Sequence, residues 1–183
     1  MNYGERLNEA LKQQLRHPWS SDYSGGERVW FLVFDPERLR SVLARKPLFQ
    51  MSVEAAGKRW VEVDVSQSFG EWMGAHRYAE VFYARPNRAK AVPNDFADAL
   101  ARSIRDRIVE DGVDENTVLV LTGTEALFGI TKLSHITRLI EDAVPGRLLV
   151  FFPGEFNEPH YRFLDARDGW NYLAIPITAG DGR

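Results

Sequence analysis

The sequence predicts an α/β fold: a single three-layer domain whose central, mostly parallel sheet of about five strands is flanked by helices. Two observations carry this expectation. The runs RVWFLVF (28–34), TVLVLTG (117–123) and RLLVFF (147–152) are almost continuously apolar, as strands covered on both faces are, which places them in the interior of the sheet. Segments with helical spacing fall between the strands, so the chain alternates strand, helix and strand through right-handed crossovers.

The elements follow in order. ERLNEALKQQL spaces Leu7, Leu11 and Leu15 at i, i+4 and i+8, predicting a helix over about 4–16. After the first apolar strand, Asp35-Pro36 supplies an N-cap and a first-turn proline for a helix through ERLRSVLARK. WVEVDV (60–65) alternates Val61, Val63 and Val65 with Glu62 and Asp64, the pattern of a strand exposed on one face. Ser68 and Glu71 form the capping-box pattern ahead of a helix through FGEWMGAHRYAEVFYA. NDFADALARSIRDRIVEDG puts Phe96, Leu100, Ile104 and Ile108 on one stripe and ends at Gly112, a C-cap residue. HITRLIEDAVPG closes the crossover into the strand at 147–152, and YLAIPI (172–177) is the fifth strand. The core thus spans about 28–177, with TAGDGR reading as a frayed or truncated tail.

Composition narrows the function classes. With 183 residues the chain can bury about 70% of the surface that its unfolded form exposes. Its 44% apolar and 27% charged residues are the balance of a globular protein, neither disordered nor membrane-embedded. The apolar runs at 29–34 and 148–152 fall far short of the roughly 20 residues of a spanning helix. MNYGERLNEALKQQL carries charges where a signal peptide has its apolar region, so a cytoplasmic location is expected. The absence of cysteine excludes disulfides, thiolate zinc sites and cysteine nucleophiles. A net charge of −3 argues against a uniformly basic nucleic-acid binder. ARPNRAK (84–90), with Arg85, Arg88 and Lys90, leaves room for weak DNA contact, although such a run reads first as a solvated loop.

Binding sites in α/β sheets lie at the carboxyl ends of the strands, where Asp35, Glu125 and Glu155 are found. A phosphate-binding loop is missing. Its nearest approach, GTEALFGITK (123–132), has its second glycine one residue late, Ile130 in place of the lysine, and bulky Leu127 and Phe128 where backbone must approach an anion. There is no G-x-G-x-x-G, nucleophile elbow or H-E-x-x-H. His17, His76, His135 and His160 are too widely spaced to indicate a metal site. The expectation is therefore no catalytic residue, cofactor or metal, with Asp35 as a helix cap and Glu155 in a strand-ending turn. The alternative is a metal-dependent nuclease or nucleotide hydrolase using Asp35, Glu125 and Glu155.

The stretch HYRFLDARDGWNYLAIPI gathers Tyr161, Arg162, Asp165, Arg167, Asp168 and Trp170. One reading is a hairpin-like connection turning at Asp168-Gly169, with Asp165 or Asp168 paired to Arg162 or Arg167. The other is a partner surface, joined by Glu155, because arginine and tryptophan are enriched at interface hot spots.

RVWFLVFDPERLRSV, WVEVDVSQSFGEWM, ALFGITKLSHI, GRLLVFFPGEF and YRFLDARDGWNYLAIPI together resemble successive blocks of the BrxB family of BREX bacteriophage-defence systems. The most specific are the last two, since general α/β patterning does not require FFPGE followed by YR, LD and RDGWNYLA. The resemblance implies an accessory, non-catalytic subunit acting beside an adenine-specific methyltransferase, a large ATPase and a PglZ-type alkaline-phosphatase-like protein, the last being the expected direct partner. The family supplies no catalytic residues to transfer. By analogy at the level of fold alone, the layout is a degenerate RecA-like or P-loop fold without its phosphate-binding loop.

Overall fold

Among the described residues six strands form the sheet: β1 (Val29–Phe34), β2 (Arg59–Asp64), β3 (Thr117–Thr122), β4 (Arg147–Asn157), β5 (His160–Phe163) and β6 (Ile175–Ile177). The computed structural model describes residues 1–20, 22–75, 84, 92–164 and 173–180. Five strands run parallel in the order β2-β3-β4-β1-β6, and β5 pairs antiparallel with β4. The three strands expected in the interior are there. β1 and β3 are buried at every residue, whereas edge strand β2 is partly exposed.

The two faces of β1 divide the core. Trp30, Leu32 and Phe34 pack with Leu7, Leu11 and Leu15 of α1 (Tyr3–Leu15), Val42 of α2 (Leu39–Leu43), and Phe49 and Val53 of α3 (Lys46–Ala55). Val29, Phe31 and Val33 face the other way. There they meet Phe96, Leu100, Ile104 and Ile108 of α5 (Val92–Glu110), and Leu133, Ile136 and Ile140 of α6 (Leu133–Ile140). The α4 helix (Ser68–Ala75) lies beside α5 and packs Phe69 edge-on to Phe96. Each large side chain sealed in this way contributes about 1.5–3 kcal/mol relative to exposure. No helix among the described residues is long and apolar enough to cross a membrane.

Four local expectations change. The single helix expected through ERLRSVLARK is a 3-10 turn (Pro36–Arg38), then α2, and then a separate α3 with Pro47 in its first turn. Proline has no N–H to donate inside a helix, so the chain breaks at Arg45 and restarts, which lets Phe49, Ser52 and Val53 turn inward. Ser52 Oγ then donates to Asn8 Oδ1 at 2.9 Å, joining α3 to α1. In α4 the first backbone bond runs from Glu71 N–H to the Gln67 carbonyl, so the cap falls on Gln67 and Ser68 is already helical. The expected continuation of that helix past Ala75 lies outside the described residues, apart from residue 84.

The strand at 147–152 does not stop at Pro153. β4 continues through Pro153, Gly154 and Glu155 to Asn157 and returns as β5 after a turn at Glu158-Pro159. Pro153 is tolerated because the hairpin uses its carbonyl, which accepts from Leu164 N–H at 2.9 Å. Gly154 is required because a Cβ there would collide with the carbonyl of Arg162 on β5. Finally, the strand expected over 172–177 is seen only from Ile175, with residue 172 outside the described part.

Candidate functional site

The topology dictates where a crevice opens. From β1 the chain leaves toward β2 over the face that carries α2 and α3. From the neighbouring β4 it folds as a hairpin onto the opposite face, where Tyr161 and Phe163 join the core. Adjacent parallel strands whose continuations part to opposite faces leave a cleft at their carboxyl ends. Here that cleft has a volume of about 540 Å³ and is bordered by Tyr3, Asp35, Pro36, Glu155, Asn157 and Thr178.

Its chemistry is acidic. Asp35 caps the 3-10 turn as expected, its carboxylate accepting from Glu37 N–H at 2.9 Å, while Asp35 N–H donates to Tyr3 Oη at 3.3 Å. Arg38 stands over the Tyr3 ring, 4.5 Å from its centroid. The turn after β1, where sheets of this kind cradle phosphate with glycine backbone, is Asp35-Pro36-Glu37. Of this turn, Asp35 and Pro36 border the cleft, so it offers an incoming anion a carboxylate and a proline. None of the described residues bordering the cleft carries positive charge.

Asp35 and Glu155 therefore share one crevice, but Glu125 is not on its wall. Glu125 lies in the 3-10 turn Thr124–Leu127 after β3, which Thr124 anchors by donating to the Phe151 carbonyl at 2.6 Å. Gly123 begins that turn at φ +74°, with the Asp64 carboxylate and Ser66 against it, so the corner is closed by packing. Among the described residues no group of three or more His, Asp or Glu side chains is arranged to hold a metal ion. His17 lies in the bend after α1, His135 in α6 and His160 in β5, and His76 lies outside the described residues.

The candidate partner surface divides. Glu155 and Arg162 are directly opposed across the β4–β5 ladder, both exposed, with Oε2 and Nη1 3.9 Å apart. Arg162 thus pairs with Glu155, while Asp165 and Asp168, the partners expected for it, lie outside the described residues. Tyr161 must be withdrawn from the surface, because strand alternation turns it inward, where it is fully buried against Phe31 and Phe152. Burial pushes its phenol well above the ordinary tyrosine pKa. Asp165, Arg167, Asp168 and Trp170, the Asp168-Gly169 turn, and the basic residues Arg85, Arg88 and Lys90 all lie outside the described residues.

One residue that sequence reasoning passed over is Arg147, buried at the start of β4 at the other end of the sheet. Its signal was an arginine opening the most apolar run of the chain. In comparisons with known proteins, no family model matches the chain, and neither a curated protein nor a solved structure matches it significantly.

Proposed function

We propose that this protein is a non-catalytic interaction subunit of a BREX-type bacteriophage-defence complex, working in a bacterial or archaeal cytoplasm and binding the PglZ-like component. The observation that supports the non-catalytic part is the strand-end crevice. A nucleotide-handling sheet presents backbone N–H groups and a lysine at this place, and here Asp35 and Glu155 would repel phosphate instead. The assignment to BREX rests on the resemblance of the sequence blocks, the most specific of which contribute to the β4–β5 hairpin. That hairpin projects Glu155, Asn157, His160 and Arg162 outward as a charged, exposed edge. Contact with DNA runs through Arg85, Arg88 and Lys90 and is weak or indirect.

The test is co-purification with the PglZ-like protein, followed by size exclusion and calorimetry of the two at micromolar concentration. A complex burying on the order of 1,000 Å² or more supports the reading, whereas separate elution without heat removes this partner. A second reading, a metal-dependent hydrolase, is favoured only by Asp35 and Glu155 meeting in one crevice. Crystals soaked in Mn²⁺ with no metal density between these carboxylates would discard it.

A further inference from the structure

At the opposite, amino-terminal edge of the sheet lies a second cavity, of about 290 Å³, bordered by His17, Trp19, Tyr23, Glu27, Trp30 and Arg147. Arg147 is only 3% exposed. A guanidinium stays charged at neutral pH, and burying one is costly unless a counter-charge and hydrogen-bond acceptors surround it. Among the described residues no carboxylate pairs with Arg147. Its Nη1 donates to the Gly146 carbonyl at 3.0 Å, and its Nη2 is buried with no acceptor. Glu27, the carboxylate on the cavity wall, is already engaged through Oε2 by Ser24 N–H at 2.8 Å and Ser24 Oγ at 3.0 Å.

Aromatic rings flank the charge instead. The guanidinium carbon lies 4.8 Å from the centroid of Trp19 and 5.2 Å from that of Tyr23. The wall residues Trp19 and Trp30 add two more orphaned donors, their indole Nε1 atoms, each buried with no acceptor. Further positive charge surrounds them. Lys58 Nζ sits 4.1 Å from the Trp19 centroid, and Arg28 is near enough that its charge adds to burial in lowering the pKa of Arg147. Leaving each such donor buried without a partner is costly, so an acceptor placed here relieves several costs together.

We propose that this cavity binds a carboxylate, with Arg147 as its counter-charge, the Trp19 and Trp30 indoles as additional donors, and the aromatic rings as walls for its apolar body. The donor count selects the class. Three donor nitrogens suit the two oxygens of a flat carboxylate, whereas a phosphate dianion would bring a second charge and more oxygens than these can serve, and neither Arg28 nor Lys58, which donates to Asn116 at 3.1 Å, borders the cavity. The volume is at or just below the lower end of small-molecule sites, roughly 300–1,000 Å³, and admits one small acid or a single acidic side chain. This inference is independent of the proposed defence role, because it involves neither the crevice nor the hairpin.

The experiment uses the full chain labelled with ¹⁵N, with the indole resonances of Trp19 and Trp30 assigned by single Trp→Phe variants. The probes are sodium benzoate, N-acetylglutamate methylamide, neutral benzamide and inorganic phosphate. Either carboxylate should shift both indole signals saturably, and benzamide should not. Arg147→Met should weaken binding by about tenfold or more, and should that variant fail to fold, Trp19→Phe, which keeps a ring and removes one donor, should weaken it about two- to tenfold. Tighter binding of benzoate assigns a free acid, and tighter binding of the glutamate compound assigns an acidic side chain of a partner; both support the site. Signals unmoved by carboxylate at tens of millimolar, equal shifts with benzamide or in Arg147→Met, or binding of phosphate alone would overturn it.

Discussion

Tyr161 on β5 donates its phenolic hydrogen bond to the backbone carbonyl of Ala174, 13 residues further along the chain. Both groups are buried, so this bond joins the hairpin to the segment entering β6 from inside the core. Tyr161→Phe should therefore cost about 1–3 kcal/mol by leaving the Ala174 carbonyl without its partner, measured as a lower urea midpoint at unchanged m-value.

The same phenol gives a pH dependence. Its folded pKa is raised by burial, so the folded state keeps a proton that the unfolded state releases above its ordinary pKa, near 10. Stability from this group is intact below about pH 10 and is lost as pH rises further. In alkaline unfolding, the slope should be shallower for Tyr161→Phe than for the parent.

Two glycines should respond with opposite sign to alanine. At Gly154 a Cβ meets the Arg162 carbonyl, which belongs to backbone and cannot swing away, so Gly154→Ala should loosen the hairpin and destabilise the chain. At Gly70, inside α4, a Cβ meets nothing within 4 Å. Gly70→Ala should stabilise by about 0.5–1 kcal/mol, through the smaller conformational freedom of the unfolded chain. Thermal melts of the two variants side by side check both signs.

Asp114 makes a sharper local prediction. Its carboxylate accepts from Thr117 Oγ1 at 2.7 Å and from Asn116 N–H at 3.0 Å, and these bonds, the Thr117 hydroxyl foremost, hold its pKa below the usual aspartate value. A depressed pKa stabilises the fold above the ordinary aspartate range, near 4, and that contribution disappears as pH falls through the folded value. Thr117→Val should return the Asp114 titration, followed by carboxyl carbon NMR, toward the ordinary value.

The exposed Glu155–Arg162 pair should matter little to stability, since such pairs contribute about 0–1 kcal/mol. Arg162→Glu, which sets two carboxylates opposite each other across the ladder, should lower stability by no more than about 1–2 kcal/mol. If the hairpin edge is the partner surface, the same substitution should weaken capture of the PglZ-like protein by about tenfold or more. Loss of binding together with loss of fold would point instead to a structural role for Arg162.

Much of the architecture was legible in the residues. Continuous apolar runs mark β1, β3 and β4 because an interior strand must be apolar on both faces, and the alternation in β2 marks an edge for the converse reason. The stripe of Phe96, Leu100, Ile104 and Ile108 and the C-cap at Gly112, φ +59°, follow from helical geometry alone. Asp35-Pro36 declared a cap, and it is one. These are properties of a segment and its own neighbours.

Tertiary structure decided the rest, because it concerned which distant groups meet. Residue types do not reveal that β4 runs on through Pro153 and Gly154, since that depends on β5 returning beside it and on a carbonyl filling the space of a missing Cβ. Nor do they reveal that Tyr161 points inward while Arg162 points out, which is settled by the register of that hairpin. Asp35 and Glu155 share a crevice and Glu125 does not, because the strand order sends the β1 and β4 continuations to opposite faces. The buried Arg147 acquires meaning only when Trp19, Tyr23 and Trp30, more than a hundred positions away in sequence, close around it.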